Sequence, residues 1–161
     1  MALGALARGL GVAGVALAAA ACGTPGPRPL AFGAEPCAHC HMTLADPRFA
    51  AELVTRTGRV FPFDDAGCLA AFVVAGGVRG ADVGSLWVAD FTRPDSLLPA
   101  AGAVFLRHDA FHTPMDYRIV AFRDRRAADS VRAVLGEGGE LLSWAGVLER
   151  VRRGPAEAGT P

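Results

Sequence analysis

Residues 37–42 read Cys-Ala-His-Cys-His-Met, which places two thiols, two imidazoles and a thioether in six consecutive positions. Thiolate and thioether are soft ligands, and soft ligands select monovalent copper over hard cations. The same residues contain C-x-x-C, the spacing of redox dithiols, and C-x-x-C-H, the spacing of haem c attachment. One short segment therefore supports three chemistries, and the rest of the chain must decide among them.

Haem attachment would join Cys37 and Cys40 to the porphyrin and give His41 to the iron, with His112 or Met115 as a distant axial partner. Such proteins bury the porphyrin among helices, whereas the residues after Met42 read as a hairpin. Thiol–disulfide exchange needs its C-x-x-C at a helix N-terminus, where the dipole lowers the first thiol's pKa. Here Pro36 precedes Cys37 and no βαβ pattern surrounds the pair. Copper suits the ligand set itself. Cys40 and Met42 are two residues apart, so one bend brings both sulfurs to one ion, and Cys37 can join from the same loop. Met115, in His112-Thr113-Pro114-Met115, sits on a proline-stiffened loop that reaches this site if two halves of the chain pack face to face. Met115 taken alone is more often a core filler. His39, His41 and His112 taken singly read as solvated loop histidines. Cys68 falls on the apolar side of its helix beside Leu69 and Phe72 and reads as core, so Cys68→Ala should alter stability more than metal affinity.

The elements that must position these groups alternate strand and helix. Residues 49–55 and 60–63 read as strands around an Arg56-Thr57-Gly58-Arg59 turn, and Pro62 suits an edge or a strand end. Asp64 and Asp65 can cap a helix over 66–75 that Gly76-Gly77 ends. Residues 86–91, 103–107 and 118–122 read as further strands. A helix from Asp124 to Leu135 stops at Gly136, and a third covers 140–151. Strand, turn, strand and helix thus occur twice, which predicts an α+β fold of two small ββα-type halves sharing a core.

The N-terminus places the chain outside the cytoplasm. Arg8 precedes an apolar run over 10–21 that ends in small residues before Cys22, the pattern of a secretory signal. The run is too short to span a bilayer, which takes about 20 apolar residues. A cysteine directly after the small residues predicts a lipoprotein, with residues 1–21 removed and Cys22 lipidated; the plainer readings are ordinary cleavage with Cys22 incidental, or an uncleaved anchor. Residues 22–33, rich in proline, then read as a semi-rigid tether, 34–153 as one domain, and 154–161 as a frayed tail. If Cys22 is acylated, Cys37, Cys40 and Cys68 remain, an odd set that does not make a disulfide framework. The 16 basic and 16 acidic residues balance and form no like-charge block, so no nucleic-acid footprint is present.

An ordered series of motifs carries a family resemblance. Cys37-x-x-Cys40-x-Met42, Asp46-Pro47-Arg48-Phe49-Ala50, Phe63-Asp64-Asp65-x-Gly67-Cys68, Thr113-Pro114-Met115 and Val120-Ala121-Phe122 are together similar to the NosL family, over residues 35–148. The resemblance implies a membrane-tethered, periplasm-facing lipoprotein, a binding protein rather than an enzyme. Such a protein binds one monovalent copper and delivers it, with ABC-transporter-linked machinery, to nitrous oxide reductase. It also implies a tandem ββα-type fold resembling part of organomercurial lyase. Cys40, Met42 and Met115 carry over as ligand candidates, with Cys37 and His41 beside them. The chain departs from the pattern at His41, where a glycine is usual.

Overall fold

A computed structural model describes residues 25–154; the segment read as a signal, the expected lipidation site Cys22 and the expected tail over 155–161 lie outside them. Gly58, at a φ of 85°, makes the turn that folds strand β1 (Ala51–Thr55) onto β2 (Val60–Phe63) in antiparallel register, Ala51 opposite Phe63 and Val54 opposite Val60. β2 is an outer strand of the sheet. The Pro62 carbonyl points away from β1, to the Ala38 N–H at 2.8 Å. The N–H that proline lacks would have faced outward too, so the ladder loses nothing. Asp65 then caps helix α1 (Ala66–Val74) by accepting from the Cys68 N–H at 2.7 Å.

Strand β3 (Val83–Asp90) returns along the other side of β1, giving the order β2-β1-β3. The second half repeats this layout. Strands β5 (Val104–Arg107), β6 (Ile119–Phe122) and β7 (Glu140–Leu142) form an antiparallel β6-β5-β7 unit, with helix α2 (Arg125–Leu135) between β6 and β7. The halves join side by side, rather than face to face, in one sheet. β3 meets β6 in parallel at Asp90 and Ala121. The buried Asp90 carboxylate, held by the Arg123 guanidinium at 2.6 Å, fastens that junction.

Two elements differ from expectation. Strand β4 (Arg93–Pro99), paired to β3, was not anticipated, since Pro94, Asp95, Ser96 and Pro99 carry turn composition. The single helix expected over 140–151 is strand β7 followed by helix α3 (Trp144–Arg153), with Ser143 as its N-cap. Leu141 and Leu142 face opposite cores, the period of a strand.

Alternation sorts the core into two layers. Leu53, Phe63, Val88, Phe105 and Ile119 point to the face covered by α1 and α3, where Cys37, Leu44 and Cys68 are also buried. Leu106, Val120 and Phe122 point to the face covered by α2. Of the residues read as a tether, 25–30 lie against the sheet: the Ser85 hydroxyl donates to the Pro25 carbonyl, and the Arg28 N–H to a carboxylate oxygen of the buried Glu52. Among the described residues no helix is long and apolar enough to cross a membrane.

Candidate metal centre

The six-residue motif forms the tip of a β-hairpin. Pro36 bridges Thr43, and the Leu44 N–H bonds the Glu35 carbonyl at 2.9 Å. Within the tip, the Cys37 N–H bonds the Met42 carbonyl at 2.8 Å and the His41 N–H bonds the Cys37 carbonyl at 3.0 Å. Closing so short a loop puts His41 at a φ of 62°, the left-handed region that favours glycine. Glycine would take that conformation without strain. Cys37 points into the core, Cys40 is half-buried, and His41 and Met42 are exposed.

Helix α1 brings the third thiol. Asp65 is its N-cap, so Cys68 lies in the first turn, at the end of β2 where the hairpin tip is attached. The Sγ atoms of Cys37, Cys40 and Cys68 all lie within 4.8 Å of one another, and the three thiols are free. A closed trigonal thiolate sphere with metal–sulfur bonds of about 2.3 Å would set its sulfurs ~4 Å apart. A small contraction therefore suffices for an ion to engage all three.

The two buried thiols at the bottom of the cluster act on each other. The Cys68 thiol donates to Cys37, and this bond holds Cys37 well below the ordinary thiol range despite its burial. Backbone N–H groups of Cys40, Asp64 and His39 aimed at the same sulfur add to the effect. Cys68 is pushed the other way by that bond and by burial. Burial also raises Cys40. The direction of the Cys37 shift favours its thiolate form, the form that binds metal.

The loop over residues 113–118, from the second half, closes one side. Asp65 uses both carboxylate oxygens: one caps α1 at Cys68, and the other accepts from the Met115 N–H at 3.2 Å. Burial holds this carboxyl above the usual carboxylate range, with its hydrogen-bond donors and the nearby Thr113 hydroxyl pulling the other way, and the Thr113 hydroxyl oxygen accepts from the Arg118 N–H. Tyr117 lies across α1 at Gly67, where an added Cβ would sit 2.0 Å from the ring. Burial, and then the neighbouring Cys68, push the Tyr117 phenol up to about 12. The spacing Asp65-x-Gly67-Cys68 now has a physical meaning: Asp65 holds the loop, Gly67 admits Tyr117, and Cys68 reaches the thiols.

The structure brings Cys37 and Cys40 together, as the spacing suggests, and adds Cys68. Met42 and Met115 are exposed, on backbone segments tied to the cluster. They are among the few exposed large apolar side chains of the described residues, at 53% and 39% exposure. Each has its backbone one hydrogen bond, or one bridging carboxylate, from a cluster residue. His41 is not among the groups that converge, and His112 is exposed. Cys68 is core, as read, yet its sulfur belongs to the cluster. Helical periodicity reports only which side of α1 it occupies, not that the hairpin tip meets that side. A covalent porphyrin on the fully buried Cys37 would have to enter the main core, and the C-x-x-C lies on a hairpin rather than at a helix N-terminus. Both alternatives to metal binding lose support.

No curated protein matches the chain. Among solved structures, the copper chaperone NosL from Shewanella denitrificans superposes with a TM-score of 0.61 at 20% identity, covering 75% of this chain and 96% of that one; at that identity the match establishes the α+β fold. A family model described as NosL matches residues 31–151, which include the hairpin, α1 and the Met115 loop, and the chain belongs to the NosL family.

Proposed function

We propose that this protein is a periplasm-facing lipoprotein that binds one copper(I) ion as cargo and passes it on for assembly of nitrous oxide reductase. The observation that carries the metal reading is the convergence of Cys37, Cys40 and Cys68 within 4.8 Å, with the exposed Met42 and Met115 on backbone segments tied to it. A sulfur-only donor set favours monovalent copper. The depth profile suits transfer: Cys37 and Cys68 are buried, Cys40 is half-buried, and Met42 and Met115 lie in reach of solvent. An acceptor's ligands can replace the weak thioethers first, while the thiolates keep the ion from escaping. Cys40, Met42 and Met115 are the proposed core ligands, with Cys37 and Cys68 beneath them. Delivery to the reductase together with ABC-transporter-linked machinery, and anchorage through a lipid on Cys22, rest on the family and on the leader.

Purified protein should take up about one copper(I) per chain and lack a Soret band; polypeptide-bound haem absorbance would end the proposal. Met42→Ala and Cys40→Ala should each lower affinity in competition with a chromogenic chelator. With its sulfur in the cluster, Cys68→Ala should now lower affinity as well as stability. Wild-type affinity in all three variants would place the metal elsewhere. Cells lacking this protein should make nitrous oxide reductase poor in copper.

A further inference from the structure

The described chain begins at one end of the β1–β2 hairpin, and the thiols lie at the other. Pro25 is held there twice: its carbonyl accepts from the Ser85 hydroxyl at 3.3 Å, and its ring lies against the turn, 3.7 Å from where a Cβ on Gly58 would be. Cys22 precedes Pro25 by three residues, which span at most ~11 Å when fully extended. A lipid on Cys22 would therefore bring the bilayer to the Arg56-Thr57-Gly58-Arg59 turn. Arg56 and Arg59 are exposed on that turn and form no ion pair among the described residues. The neighbouring Arg79 and Asp82 pair with each other and cancel. The thiols lie past Phe63, about 10 Å along β2 from the turn at ~3.3 Å per residue, because the hairpin tip binds at Pro62 and α1 starts immediately after the strand.

We propose that the β1–β2 turn is a bilayer-contacting corner whose two arginines bind anionic phospholipid headgroups, which orients the domain with its thiol cluster facing away from the membrane. The proposal rests on lipidation of Cys22. The residues packed on the sheet act as a clamp, converting a flexible leash into a defined pose. Each arginine at an anionic surface should strengthen the contact about fivefold. Copper is then presented outward, to a soluble acceptor or to one that overhangs the membrane.

The test uses the full lipidated chain, isolated from bacterial membranes and reconstituted in phosphatidylcholine vesicles with or without phosphatidylglycerol. Intact mass reports acylation of Cys22, and hydrogen exchange followed by mass spectrometry reports which amides the bilayer covers. Amides 56–59 should exchange several-fold more slowly on vesicles containing phosphatidylglycerol than on phosphatidylcholine alone, while amides 38–42 stay unchanged. The Arg56→Glu/Arg59→Glu double variant should remain acylated and lose that protection. Acylated protein with an unprotected turn, or with protection at 38–42 instead, overturns the orientation and leaves the lipoprotein reading intact. An unacylated Cys22 overturns both.

Discussion

Asp65→Asn separates two tasks that one carboxylate performs. Its first oxygen caps α1 at the Cys68 N–H, and its second holds the Met115 N–H across from the other half. Asparagine caps helices as well as aspartate, so α1 should keep its N-terminus. The amide nitrogen, however, is a donor and would face the Met115 N–H, leaving a donor with no acceptor. An unsatisfied buried group costs about 1–3 kcal/mol. Burial already holds the Asp65 carboxyl above the usual carboxylate range, so a neutral side chain recovers part of that cost. The net loss should be about 1 kcal/mol, or roughly 3–5 °C in melting temperature for a domain of this size. Asp65→Ala loses the cap too, worth ~1 kcal/mol more. The distinguishing readout is copper. If Met115 is a ligand and Asp65 positions it, Asp65→Asn should weaken copper(I) binding up to about tenfold, equivalent to ~1.4 kcal/mol. Added to Met115→Ala, it should weaken binding no further. Urea unfolding of the metal-free protein and chelator competition of the loaded protein measure the two effects separately. Full additivity of the two substitutions in copper affinity, or a destabilised Asp65→Asn protein with wild-type affinity, would refute the reasoning.

Three further outcomes follow from the geometry. His41→Gly relieves a left-handed residue that costs ~1–2 kcal/mol and gives back ~0.5–1 in chain entropy; chemical denaturation should show a gain of about 0.5–1 kcal/mol, with copper affinity unchanged if His41 is no ligand. Gly67→Ala should destabilise by about 2 kcal/mol despite alanine's helix preference, because its Cβ displaces the Tyr117 ring, and it should also weaken copper binding by moving the 113–118 loop. Glu52 is fully buried with one oxygen unpartnered, and burial raises its pKa. Its folded value lies above its unfolded one, so wild-type stability declines as pH rises from the ordinary carboxylate range through that raised value. Glu52→Gln should therefore be about 1 kcal/mol more stable at neutral pH, with the gain vanishing in acid; equal melting temperatures across that pH range would refute it.

Much of the scaffold was legible because its signals are local. The turn at Gly58, the cap at Asp65 and the stop at Gly136 each depend on a few neighbouring residues, and β1, β2, α1, β5, β6 and α2 fall where those signals put them. β4 was not legible, since its prolines mark turns and its strand character comes only from pairing with β3. The merger of β7 with α3 has a similar origin: three residues are too few to display a period of two before Ser143 starts the helix. Within the site, Cys37, Cys40, Met42 and Met115 stood out by type and spacing. Cys68 did not, because its role is set by the hairpin tip folding onto the first turn of α1. That contact is tertiary, and no window along the chain contains it.

The junction between the halves has a thermodynamic consequence. The three thiols come from the first half and Met115 from the second, and Asp65 bridges the two. Neither half alone carries the whole proposed ligand set, so the free energy of metal binding is shared with the seam at Asp90, Ala121 and Arg123. Cargo that engages both sides favours the closed seam by RT ln(1 + [L]/Kd). By the same linkage, an acceptor that levers the halves apart lowers affinity without touching a ligand. Release can then be driven by where the acceptor grips the sheet, as well as by what ligands it offers.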